Sequence, residues 1–184
     1  DSILENYGVK RSSGIVVETD SQHYYPQMPY YLLPNIGSDD ITTEVKSNYI
    51  LMPVAQAIQQ LDSYRDTITI KSLLTTTEDA YIENDPENST WSKSADSETG
   101  AFDLGVSITE TVDDKETQII YFSSASMLSS QIDQAISGAN SKLAATALTS
   151  MCDVEQTVVI PSKSTSYTNL VFTQGAVNTW SIIT

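Results

Sequence analysis

The clearest hydrophobic pattern in the chain runs from Phe102 to Val112, where Phe102, Leu104, Val106 and Ile108 alternate with Asp103, Gly105, Ser107 and Thr109. Alternation with a period of two predicts a strand with one apolar face. Asp113-Asp114-Lys115 makes a turn into Gln118–Phe122, and the tight connection predicts an antiparallel pair. The unbroken run Ile119-Ile120-Tyr121-Phe122 predicts a strand buried on both faces. Near the start, Ile3, Leu4 and Tyr7 fall on one helical face, with Ser2 as a cap and Gly8 as a terminator. Gly14 to Glu18 then reads as a buried strand, Tyr49 to Met52 as another that stops at Pro53, and Thr67 to Thr77 as a third that ends in Leu73-Leu74. Ala55 to Leu61 fits a short helix or a covering loop. Further on, Ile132, Ala135 and Ile136 recur at helical spacing, with Ser129 or Ser130 as cap and Gly138 as terminator. Asn140 then caps a second helix whose stripe is Leu143, Ala144, Ala147, Leu148 and Met151. Val158 to Ile160 reads as a last strand.

Two stretches break the pattern. Between Ser21 and Pro34 the chain holds His23, Tyr24, Tyr25, Tyr30 and Tyr31 with Pro26, Pro29 and Pro34, which predicts a long aromatic loop. Residues 78–98 hold seven acids against Lys93, so residues 78–100 read as a solvated acidic insertion. Strands alternating with helices predict an α/β fold, a mixed sheet flanked by helices. A helix leading into a strand at the start implies an upstream strand. The absence of a signal peptide and of an initiator Met makes the chain read as an excised or processed segment, with any anchor outside it.

Composition narrows the function. The formal charge of −15 repels nucleic acid and anionic headgroups, and no basic cluster offsets it. Nucleic-acid binding is excluded on this ground. With Cys152 the only cysteine, no intrachain disulfide forms. Ser and Thr make up about a quarter of the chain and there are ten tyrosines, a surface that suits an exported bacterial protein.

Candidate chemistry is sparse. Ser123-Ser124-Ala125-Ser126 follows a predicted buried strand, where α/β sheets open into ligand crevices. A catalytic serine needs a positioned base, the only histidine is His23, and the glycine-flanked elbow is missing. Serines that cap a helix and line a small cleft are the default. His23 lacks a second ligand at metal spacing, and the acidic stretch lacks the calcium-loop order. Cys152, at the end of an apolar stripe, reads as a buried small hydrophobe. Tyr24, Tyr25, Tyr30 and Tyr31 suit either a carbohydrate or peptide platform or a lid completing the core. No phosphate loop or nucleotide fingerprint is present, so the chain is not an ATPase subunit. No cofactor and no metal are expected.

Several segments, in order, resemble one family. These are Leu4-Glu5-Asn6-Tyr7-Gly8-Val9 with Gly14-Ile15-Val16-Val17, then Pro29-Tyr30-Tyr31-Leu32-Leu33-Pro34 with Asp40-Ile41-Thr42. Leu73-Leu74-Thr75-Thr76-Thr77, the Asp96–Gly100 approach to a strand, Phe122-Ser123-Ser124-Ala125-Ser126, the helix from Asn140 and Ile160-Pro161-Ser162-Lys163 follow. The set resembles the soluble domain of gliding-motility-type ABC transporter auxiliary proteins of Gram-positive bacteria. The resemblance implies a truncated glutamine-amidotransferase-like, flavodoxin-like sandwich without that enzyme's cysteine. It implies one extracytoplasmic domain over residues 1–169, with residues 170–184 leading toward a membrane span. It also implies partnership with the transporter's membrane and ATPase subunits. The expected function is non-catalytic, through contacts at Tyr24, Tyr25, Tyr30, Tyr31, Ser123, Ser124 and Ser126. A sugar- or peptide-binding module and a serine hydrolase are the alternatives.

Overall fold

The computed structural model describes residues 2–87 and 90–152. Helix α1 (Ser2–Asn6) unwinds at Gly8, whose φ of +82° suits glycine, and leads into β1 (Val9–Arg11) and β2 (Ile15–Val17). Strands β3 (Tyr24–Tyr25), β4 (Met28–Leu32), β5 (Asn35–Ile36), β6 (Met52–Pro53) and β7 (Ile58–Gln60) are short. The long ones follow: β8 (Ile68–Thr75), then after β9 (Tyr81–Glu83) the hairpin of β10 (Asp103–Val112) and β11 (Lys115–Phe122). Helices α2 (Ser130–Ala135) and α3 (Ala139–Met151) close the described chain.

The fold is mixed α/β, and every strand pair among the described residues is antiparallel. The main sheet runs β1-β7-β10-β8-β5, with β11 also on β10. A two-stranded sheet joins β2 to β9, and a three-stranded sheet runs β3-β4-β6. Among the described residues, hairpins and loops join strand to strand, while the longest helix, α3, comes after β11, so the sheet is not the helix-alternating one the sequence predicts.

The apolar stripe of β10 does not serve one core. Leu104 joins the larger cluster, with Leu73, Leu74, Met52, Ile50, Met127 and Leu143. Val106 and Ile108 join a smaller one, with Val9, Ile58 and Ile68 beneath Leu4 and Tyr7 of the first helix and turn. Residues two apart on a regular strand share a face. Here the β10–β8 register slips between Asp103 and Gly105 and again between Gly105 and Val106, and this irregularity hands the stripe from one core to the other. Gly105 sits at the slip, opposite Phe122. A Cβ there would stand 2.8 Å from Phe122 Cδ1, so the ring lies over the glycine.

Buried polar groups tie the sheets together. The Glu18 carboxylate is buried and accepts hydrogen bonds from the main-chain N–H groups of Thr19, Asp20 and Thr77 and from the Thr77 hydroxyl, which joins the end of β2 to the end of β8. Asn140 is wholly buried. Its Nδ2 donates to the carbonyls of Leu51 and Met127, both at 2.7 Å, and its Oδ1 accepts the Leu51 N–H at 3.2 Å. Arg65 grips Glu110 with two donors at 2.6 and 3.0 Å and lies over the Tyr7 ring. That grip holds the Glu110 carboxyl below the usual carboxylate range, against the opposing effect of desolvation.

Several expectations are corrected. Ala55–Leu61 is neither helix nor simple loop, because Ile58–Gln60 pairs with β1 and Ile58 with β10. The aromatic loop is a hairpin: β3 meets β4 across a turn that holds Pro26 and Gln27, the latter at φ +67°, Pro29 lies within β4 of a small irregular sheet, and Pro34 falls between β4 and β5. The acidic insertion begins later than residue 78, since Ala80, Tyr81 and Ile82 are buried and Tyr81–Glu83 pairs with β2. Asn140 does not cap α3. Gly138, at φ +83°, takes that position, and the Asp133 carboxylate accepts from the Ser141 N–H and hydroxyl near the helix start. The α3 stripe divides: Leu143 and Ala147 are buried, while Leu148, Met151 and Cys152 are exposed. Strand β11 is only partly buried. Val158–Ile160 and the 170–184 tail lie outside the described residues.

Candidate functional site

The aromatic hairpin exists because Tyr24, Tyr25, Met28 and Leu32 supply the cross-strand pairs that an irregular two-strand ladder needs. Strand β6 then pairs with β4 through Tyr31↔Pro53 and Leu32↔Met52. This places Tyr25 and Tyr31 over α2. Together with Met28, Leu51, Gln131, Ile132 and Ala135 they line a cleft of about 290 Å³. Tyr30 does not join them: it packs against Trp91 of the acidic stretch, ring centroids 4.4 Å apart, and meets Tyr31 edge-on at 5.4 Å. Tyr24 serves the hairpin ladder opposite Leu32.

The serines are also divided. Ser123 donates its hydroxyl to the Leu104 carbonyl, as its N–H does, so it extends the β10–β11 ladder by one residue. Ser124 is buried and donates to the Pro53 carbonyl. Both serines join strand ends. Ser126 is exposed and, with Ser123, lines a second cleft of about 470 Å³ alongside Arg11, Gln56, Val54, Tyr121 and Phe122. Arg11 donates to the Gln56 side chain, which in turn donates to the Ser12 carbonyl. Val54 stands at φ +52°, a left-handed conformation rare for a β-branched residue and a local strain in the cleft wall.

His23 is occupied elsewhere. Its Nδ1 lies 3.2 Å from the Leu33 carbonyl and its Nε2 3.9 Å from an Asp20 carboxylate oxygen, on the aromatic hairpin. Among the described residues, neither cleft has a histidine, carboxylate or thiol in its lining. Among the described residues no group of three or more His, Cys, Asp or Glu could hold a metal ion. No helix of the described residues is long and apolar enough to cross a membrane.

The residues that complete the two clefts were not visible in the sequence. Leu51 and Ile132 carried only core or helix signals, and nothing local marks Arg11 or Gln56 as neighbours of Ser123, because the pairing of β1 with β7 brings them there. The positive φ of Val54 has no sequence signature.

Compared with known proteins, the chain matches no protein-family model, no curated protein and no solved structure. Function therefore rests on the clefts themselves. The cleft under Tyr25 and Tyr31 offers apolar area with phenolic rims, a chemistry of contact. The cleft at Ser123 offers a guanidinium, an amide and hydroxyls beside two aromatic rings, which suits polar recognition without a positioned base.

Proposed function

We propose that this chain is a non-catalytic contact domain on the extracytoplasmic face of a membrane-anchored ABC transporter auxiliary component. The transporter's membrane and ATPase subunits are its assembly partners, and only the membrane subunit is within reach from outside the cell. The observation that carries this reading is the cleft between the β3–β4 hairpin and α2. Its lining of Tyr25, Met28, Tyr31, Leu51, Ile132 and Ala135, with Gln131 as the polar member, has surface to bind and, among the described residues, no acid–base pair to react. The ordered resemblance of segments supplies the transporter. It also supports a place among glutamine-amidotransferase-like, flavodoxin-like sandwiches, an assignment that requires parallel strands besides the antiparallel pairs described.

A defined binding experiment tests this. The purified chain is mixed with the purified membrane–ATPase complex in detergent and the bound fraction measured. Wild type binds, and Tyr31→Ala with Ile132→Ala binds at least about tenfold more weakly, a loss near 1.4 kcal/mol. No binding by wild type refutes the proposal.

A sugar- or peptide-binding module is the second reading, favoured by Tyr25 and Tyr31 in one cleft. A thermal-shift screen against glycans and peptides separates it from the first. The hydrolase reading is opposed by the bonds of Ser123 and Ser124 to main-chain carbonyls and of His23 to its own hairpin.

A further inference from the structure

Strand β11 has the sequence of a central strand and the position of an edge strand. Ile120 and Phe122 pack on the larger core and Ile119 and Tyr121 on the smaller one, so both faces are apolar. Yet all four stay partly exposed, and among the described residues β11 pairs with β10 alone. The other outer strands, β1 and β5, are three and two residues long. Strand β11 has eight residues in continuous register with β10, without proline or bulge. Natural sheets blunt such edges, because an unpaired row of N–H and C=O groups templates another strand. Apart from the charges of Lys115 and Glu116 beside its turn, this edge carries no such device among the described residues.

The topology also shapes the place a strand would take. Beyond Phe122, which pairs with Gly105, the β10 edge passes to β7, where Ile58 meets Asp103. Strand β1 lies outside β7, with Arg11 opposite Ile58. Among the described residues, the column beside β11 is thus open along its length and closed at one end by Arg11. The cleft lined by Arg11, Tyr121, Phe122 and Ser123 is the mouth of that column.

We propose that β11 is a strand-addition surface whose occupant is β11 of a second copy, paired antiparallel about a two-fold axis at Gln118. In that register Thr117 faces Ile119 of the other copy, Glu116 faces Ile120 and Lys115 faces Tyr121. No like charges oppose, which is what a self-complementary edge requires. The acidic turn Asp113-Asp114 of each copy arrives beside Phe122 of the other, about two residues or roughly 7 Å short of the column that Arg11 closes. The two acidic turns lie about 30 Å apart, several Debye lengths at physiological salt, so the chain's charge of −15 does not forbid the pairing. This inference is independent of the transporter reading.

The test uses the full chain with Cys152→Ser, to remove the exposed native thiol. Directly opposed residues at the axis have Cα atoms about 4.5–5.5 Å apart, within disulfide range. Gln118→Cys therefore forms a disulfide-linked dimer under mild oxidant, and Glu116→Cys, whose opposite is Ile120, forms it at least tenfold more slowly. Sedimentation of the native chain shows a concentration-dependent dimer, which Thr117→Lys, at an exposed position, shifts toward monomer. Matching circular dichroism and melting curves establish that the variants fold. A native chain that stays monomeric with equal cross-linking at 116 and 118 overturns the proposal. So do outward-facing β11 amides, those of Glu116, Gln118, Ile120 and Phe122, that are protected from hydrogen exchange in the monomer, or that become protected only when the transporter's membrane subunit is added.

Discussion

Replacing Asn140 with alanine probes the joint that holds α3 to the sheets. The side chain is wholly buried and makes three hydrogen bonds, two with the main chain of Leu51 and one with the carbonyl of Met127. Alanine keeps the helix, since its intrinsic propensity is the better of the two. It leaves the Leu51 N–H, the Leu51 carbonyl and the Met127 carbonyl without these partners in a buried region. An orphaned buried polar group costs about 1–3 kcal/mol, so three bonds lost, with some relaxation, give a destabilisation of roughly 3–5 kcal/mol. That is a large share of the ~5–15 kcal/mol by which domains are stable. At about 2–4 °C per kcal/mol for a domain of this size, the melting temperature falls by roughly 10 °C. Urea unfolding followed by circular dichroism measures the loss directly. Asn140→Asp is the sharper control: it keeps the shape and the acceptor for the Leu51 N–H, but turns an oxygen toward two carbonyls, and it destabilises at least as much. If Asn140→Ala costs under about 1 kcal/mol, Asn140 does not clamp α3 to Leu51 and Met127.

Further predictions follow from single residues. Tyr81 is fully buried and its hydroxyl has no partner among the described residues, so Tyr81→Phe leaves stability equal or raises it by up to about 1 kcal/mol, and a loss above that size contradicts the assignment. Burial, and then the nearby Glu83, push the Tyr81 phenol above its ordinary value, so its share of stability is complete below about pH 10 and fades as pH rises further; the alkaline branch of a melting-temperature profile is shallower in Tyr81→Phe. Glu110 works in the opposite sense. Its lowered pKa makes the Arg65 pairing stabilising above about pH 4.3, and the gap between wild type and Glu110→Gln closes as pH drops through the depressed value. Gly105→Ala sets a methyl against the Phe122 ring and costs about 1–3 kcal/mol, a loss that Phe122→Leu in the same chain partly restores.

Legibility in the sequence followed the range of the interactions. The β10–β11 hairpin was readable because alternation and an Asp-Asp turn are local signals, and its pairing from Gly105↔Phe122 to Val112↔Lys115 is continuous. The register slip at Gly105 was not, since it depends on β8, whose Leu74 and Ser72 lie about thirty residues away. Hydrophobicity alone makes Ile119–Phe122 read as a strand buried on both faces, because it registers apolar faces and not whether a strand has one neighbour or two. Asn140 reads as a cap because asparagine at a helix start favours that use, whereas its partners, Leu51 and Met127, come from distant segments. The candidate residues met the same limit. Tyr25 and Tyr31 share a cleft and Ser123 and Ser126 share another, but Tyr30 belongs to Trp91 and Ser124 to Pro53, because the local sequence sets which residues are near in chain and only the tertiary pairing sets what each one faces.

The central claim is that the molecule works by contact through the cleft beneath Tyr25 and Tyr31. Amide hydrogen exchange of the full chain, alone and with the purified membrane–ATPase complex, tests it most directly. Added protection over Tyr25–Leu32 and Gln131–Ala135, absent with Tyr31→Ala, is the predicted result. Exchange that is unchanged by the complex, or protection confined to other segments, contradicts it.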